Sequence, residues 1–124
     1  MSQRLVADGI TRIALSDLTP LHLTVAISSL TTISPSVSIL PLAYDCSSES
    51  AVENAISETV EKFGRIDVCF NAAGVGAGPD GPNVIAETRV EDLEAVLGVN
   101  LRGVWLCERA EVRQFMRQEW RDVT

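Results

Sequence analysis

The chain has 124 residues, room for one domain but little for an α/β enzyme with its own substrate site. Its net charge of −7, with Lys62 as the single lysine, argues against nucleic acid and against anionic membrane surfaces as partners. No run is long and apolar enough to span a bilayer, and MSQRLVADG has no apolar leader core, so the expected location is cytoplasmic.

Ser2 to Asp8 read as the last turns of a helix, with Gly9 as its left-handed terminus. Arg12 to Ser16 are an apolar run suited to a buried strand, closed by Asp17. Thr19-Pro20 is an N-cap followed by proline at the first helical position, opening a helix to about Leu30. Thr31 to Ser38, rich in hydroxyls and carrying Pro35, is expected to be a loop. Val37 to Ala43 read as a strand that Pro41 weakens or moves to a sheet edge.

Ser47 is placed as the cap of the next helix, whose Val52, Ala55, Ile56, Val60 and Phe63 share one face, and Gly64 stops it. Ile66 to Phe70 form an apolar strand that breaks at Asn71-Ala72-Ala73-Gly74, where small side chains allow close approach of a ligand or backbone. Gly74 to Asn83 are a Gly/Pro loop. The glycines from Gly74 to Gly78 imitate a phosphate loop, but Pro79-Asp80-Gly81-Pro82 follows where a helix N-terminus is required. Thr88-Arg89-Val90-Glu91 has the form of a capping box, opening a long helix to about Trp120. Leu93, Val96, Leu97, Asn100, Val104 and Cys107 lie on one face of it, so Asn100 is expected to be a buried amide with hydrogen-bond partners.

Alternating strands and helices without repeat or linker imply one domain over 1–124, built on a parallel sheet with right-handed crossovers. The three cysteines, Cys46, Cys69 and Cys107, have no metal-ligand spacing, so no metal site is expected and reduced, mostly buried thiols are. His22, the only histidine, reads as a surface residue. Ligands of such sheets sit beyond the carboxyl ends of the strands, here Asp17, Asp45 and Asn71 to Gly74. Asp17 either accepts ribose hydroxyls or starts a turn before Thr19. Asp45 either reaches a ligand or is a helix-entry acid.

FGRIDVCFNAAG (63–74) and VNLRGVWLCERA (99–110) resemble the classical short-chain dehydrogenase/reductase family, with weaker likeness at IALSDL and YDC and little from Thr19 to Ser36. The resemblance implies a partial Rossmann-like, doubly wound parallel sheet, with the family's first strand and Gly-rich turn, and its C-terminal half, absent from this chain. It implies hydride transfer between a nicotinamide and a small alcohol or ketone. It assigns Asp17, Asp45, Cys46, Asn71, Ala72, Ala73 and Gly74 to the cofactor, with NAD favoured over NADP because the Asp17 carboxylate repels a 2′-phosphate. It places Asn100 at the proton-relay asparagine of the catalytic tetrad. The family's catalytic serine and its tyrosine–lysine pair have no counterpart here, so whether the chain is an enzyme is left open and turnover by it alone is not expected. The resemblance also implies a homo-oligomer, or pairing of the long helix with a full-length relative. A non-catalytic interaction module acting through residues 91–120 is the alternative. A receiver-like domain binding metal and phosphate at Asp17 and Asp45 ranks last, because no lysine ends a later strand.

Overall fold

The computed structural model describes residues 1–76 and 84–120. Helix α1 (Ser2–Ala7) leads through Gly9, at φ 102°, into strand β1 (Arg12–Asp17). Helix α2 (Pro20–Ile33) crosses over to strand β2 (Ser38–Ala43). The two strands pair in parallel, in step from Arg12 opposite Ser38 to Asp17 opposite Ala43. This βαβ unit is the α/β, partial Rossmann-like arrangement expected.

Helix α2 runs past Leu30 to Ile33, into the stretch expected to be a loop. The hydroxyls explain the extension. Thr31 Oγ1 donates to Ile27 C=O at 2.8 Å and Thr32 Oγ1 to Ser28 C=O at 2.9 Å, so these side chains bond back along the helix rather than breaking it. Pro41 is tolerated because β2 is an edge strand of this pair.

Helix α3 (Glu49–Phe63) starts one residue later than expected. Ser48, not Ser47, is its N-cap, accepting from the Ala51 N–H at 3.4 Å. Ser47 is committed to Asp45 instead. Gly64, at φ 84°, ends α3 as expected.

Ile66 to Phe70 do not form a strand. Among the described residues no strand lies alongside to complete a hydrogen-bond ladder, and β1 pairs only with β2. Ile66 is buried, whereas Val68 and Phe70 are exposed.

The Gly/Pro loop expected up to Asn83, with its phosphate-loop imitation, lies mostly outside the described residues. A 3₁₀ turn (Ile85–Glu87) follows. The capping box does not form: Arg89 is the N-cap of helix α4 (Val90–Leu97), and Thr88 turns its hydroxyl back to Val84 C=O. The long helix is three pieces, α4, a π-helical turn (Gly98–Gly103) and helix α5 (Val104–Arg117), and it stops short of Trp120. Leu93 and Leu97, expected on a shared apolar face with Cys107, are exposed, whereas Cys107 is buried.

The core forms where α3 meets α5. Val52, Leu106, Cys107 and Ala110 are buried together, with Tyr44, Cys46 and Ile56 packed against them. Enclosing a side chain such as Val52, 2% exposed, stabilises the fold by roughly 1.5–2 kcal/mol. Helix α2 covers both strands and α1 leans on α2. Arg109 ties α5 to the start of α3 through Glu49 while stacking on Trp105, 4.8 Å from the ring centre. Among the described residues no helix is long and apolar enough to cross a membrane.

Candidate functional site

The carboxyl ends of β1 and β2 lie side by side. The Tyr44 N–H donates to Asp17 C=O at 3.2 Å, which continues the ladder one step and brings Asp17 and Asp45 to the same edge. Asp17 Oδ1 accepts from the Thr19 N–H at 2.8 Å and lies 3.2 Å from His22 Nδ1. The turn-starting role of Asp17 is therefore realised, and it uses one carboxylate oxygen. His22 is exposed, as expected.

Asp45 Oδ1 accepts from both the Ser47 N–H at 2.8 Å and the Ser47 hydroxyl at 2.7 Å. These two donors, the hydroxyl foremost, hold its carboxyl below the usual range. Cys46 sits against Gly103. A Cβ on that glycine would lie 2.9 Å from Cys46 Sγ, so only glycine lets the helix approach so closely. Burial, and next the Asp45 charge, push the Cys46 thiol up. Arg102 donates to Ser47 C=O and fastens the same loop.

Asn71, Ala72, Ala73 and Gly74 are exposed and irregular. Asn71 Nδ2 donates to Glu111 Oε2 on α5 at 3.0 Å. Gly74 lies under Asn100, whose Oδ1 would be 3.4 Å from an added Cβ.

Asn100 is exposed, not buried as expected. Its amide is nevertheless engaged at both ends: Oδ1 accepts from the Val75 N–H at 2.8 Å and Nδ2 donates to Val75 C=O at 2.9 Å. The π turn carries this residue at the rim, beside the loop rather than inside the helix packing.

The loops at the ends of β2 and of segment 66–76 are thus both set by one helical unit, 98–117. Three of its contributions were not read from the sequence: Gly103 against Cys46, Arg102 on Ser47, and Glu111 on Asn71. Only Glu111 had a legible signal, an acid four residues after Cys107 on the inward side of the helix.

The thiols and phenol near α5 are held protonated. Tyr44 is pushed up to about 12 by burial first and by Cys107 next. Cys69 is pushed up to about 12 by burial and the neighbouring Glu111, and Cys107 to about 11 by burial and Cys46. None is disulfide-bonded; Cys107 is buried and Cys46 and Cys69 are half-buried. No cluster of three or more His, Cys, Asp or Glu side chains among the described residues could hold a metal ion. The arrangement places two carboxylates at one strand edge and leaves the neighbouring thiols and phenol protonated.

Levodione reductase of Leifsonia aquatica is 32% identical over 94% of this chain and 42% of its own length. The crystal structure of an NAD⁺-bound xylitol dehydrogenase superposes with a TM-score of 0.82 at 30% identity, over 93% of this chain and 42% of that one. An alcohol dehydrogenase from the archaeon Thermococcus sibiricus, complexed with 5-hydroxy-NADP, gives a TM-score of 0.80 at 26% identity over 94% of this chain and 47% of that one. The chain spans between about a quarter and just under half the length of curated relatives it matches. The pattern of the short chain dehydrogenase family matches residues 1–123, almost the whole sequence. The chain belongs to the short chain dehydrogenase family.

Proposed function

We propose that this chain forms the adenosine side of a nicotinamide dinucleotide site, in an oxidoreductase that moves hydride between a small alcohol and a ketone. The reading rests on one observation above all, the placing of Asp17 and Asp45 at adjacent carboxyl ends of parallel strands. The residues suit that half of the ligand. Asp17 Oδ2 accepts no hydrogen bond among the described residues and suits a ribose hydroxyl. Ala72, Ala73 and Gly74 leave room for a flat group. The cofactor, when bound, supplies the hydride chemistry. The chain's own part is to orient the adenosine and, through Asp17, to disfavour a 2′-phosphate, so NAD is preferred over NADP.

The 124 residues do not turn over alone on this reading. A proton donor in the family is a tyrosine beside a lysine. The only candidates here are Tyr44, held protonated, and Lys62, which donates to Ile39 C=O at 3.3 Å and lies over the Phe63 ring. The relay role of Asn100 is proposed only for a longer assembly that supplies such a pair.

Calorimetric titration with NAD, NADP and adenosine, beside an alcohol-oxidation assay, tests this. Weak NAD and adenosine binding that Asp17→Ala diminishes, with NADP weaker still, is the expected result. Absence of any adenosine or NAD binding would sink the site assignment, tighter NADP binding the preference, and oxidation by the purified chain the inactivity.

A second reading has a separate observation behind it. Leu93, Leu97, Leu101, Trp105, Val112 and Met116 are exposed along 90–117. Such a surface suits pairing with another copy or with a full-length relative. A strictly monomeric chain by light scattering, with no full-length relative co-purifying from the native source, would count against it.

A further inference from the structure

We propose that Glu111 is a positioning residue that sets Asn71, and with it the turn Asn71–Gly74, at the ligand edge. The proposal rests on the reading of that turn as part of the adenosine site.

Among the described residues segment 66–75 has no ladder to hold it, and side chains of the facing helix do so. Gln118 fastens one end, accepting from the Ile66 N–H at 3.2 Å and donating to Ile66 C=O. Asn100 fastens the other end at Val75. Between them, from Val68 to Gly74, only Cys69 and Asn71 have side chains able to hydrogen-bond. Asn71 Nδ2 donates to Glu111 at 3.0 Å, and the half-buried Cys69 thiol lies close enough to feel the charge of the same carboxylate.

The spacing brings Cys69 and Asn71 to the same carboxylate. Residues two apart in an extended chain point to the same side. Cys69 and Asn71 therefore face α5, while Val68 and Phe70, 62% and 53% exposed, face away. Glu111 is half-buried, and burial pushes its carboxyl up while Asn71 and then Cys69 pull it back down. Glu108 raises it further, and Cys107 lies within range on the same helix. The Cys69 thiol stays protonated beside Glu111.

Three readouts on the 124-residue chain test this: amide hydrogen exchange, alkylation of each cysteine by iodoacetamide followed by peptide mass spectrometry, and NAD affinity. Glu111→Ala is expected to speed exchange at 70–74 and alkylation of Cys69 by about tenfold or more, with amides of α3 unchanged. Glu111→Gln still offers Asn71 an oxygen, so it should spare most of the exchange protection yet speed Cys69 alkylation, because the charge is gone. Should Glu111→Ala fail to fold, Glu111→Gln and Asn71→Ala decide, the latter loosening 70–74 alone. NAD affinity is expected to fall in proportion to the loosening. Unchanged exchange at 70–74 together with unchanged Cys69 alkylation overturns the proposal, and so does unchanged NAD affinity in a loosened variant. Loosening of 70–74 in a chain that never bound NAD leaves Glu111 as the anchor and removes the adenosine reading instead.

Discussion

Asn100 holds Val75 by both polar groups of its backbone, Oδ1 receiving the N–H at 2.8 Å and Nδ2 giving to the C=O at 2.9 Å. A primary amide presents the same donor and acceptor pair as a neighbouring strand. Gln118 repeats the device at Ile66, using its own Oε1 and Nε2. The segment between them is thus held by side chains of the helix in the place where a sheet would use main chain.

Asn100→Ala is expected to cost about 1 kcal/mol, because an exposed site lets water replace part of what is lost. The loss should be local. Amide exchange at Val75 should rise well above that at Ile66, which Gln118 still holds. Equal change at both ends would mean that the segment moves as one body.

Gly103 and Gly64 should both resist alanine, for different reasons. Gly103 has ordinary helical backbone, φ −61°, but its added Cβ would lie 2.9 Å from Cys46 Sγ. Overpacking of this kind costs about 1–3 kcal/mol, partly offset by roughly 1 kcal/mol of helix propensity. A Gly103→Ala, Cys46→Ala pair should recover most of the stability in urea titrations, since the clash is with that thiol.

Gly64 has open space around it but φ 84°. Gly64→Ala should cost about 1–2 kcal/mol through backbone strain alone. No second substitution nearby should rescue it, because nothing is in contact to be removed. Gly64→Asn, which tolerates the left-handed region better, should fall between glycine and alanine in the same titrations.

Tyr44 is the single tyrosine, so its ionisation can be followed by absorbance without interference from another phenol. Its folded pKa, about 12, lies above the ordinary value near 10. The folded state therefore binds this proton more tightly. The associated stability is complete below the unfolded value and is lost as pH rises from about 10 through about 12. Tyr44→Phe should flatten the decline of stability over that window, and phenolate absorbance in the native chain should appear only near the upper end of it.

Much of the molecule was legible in the order of residues. The βαβ unit of β1, α2 and β2, the stop at Gly64 and the inward face of α3 follow from local rules, namely apolar runs of strand length, proline at a helix start and glycine at φ above zero. The placing of Asp17 and Asp45 at one edge follows as well, because parallel strands joined by a helix end on the same side. Family membership was legible in FGRIDVCFNAAG and VNLRGV.

Tertiary context decided what local rules could not. Ile66 to Phe70 have strand composition, yet a strand is a relation between two chains of backbone, and no partner lies beside this one among the described residues. Asn100 sits on an apolar helical period, yet the π turn carries it to the rim, where Val75 consumes its amide. Glu111 and Gly103 acquire their meaning only from the loops that α5 meets, at Asn71 and Cys46. Periodicity along one chain cannot encode which residue of a distant segment arrives opposite. That is settled by how α3 and α5 pack and by where the intervening backbone must find its hydrogen bonds.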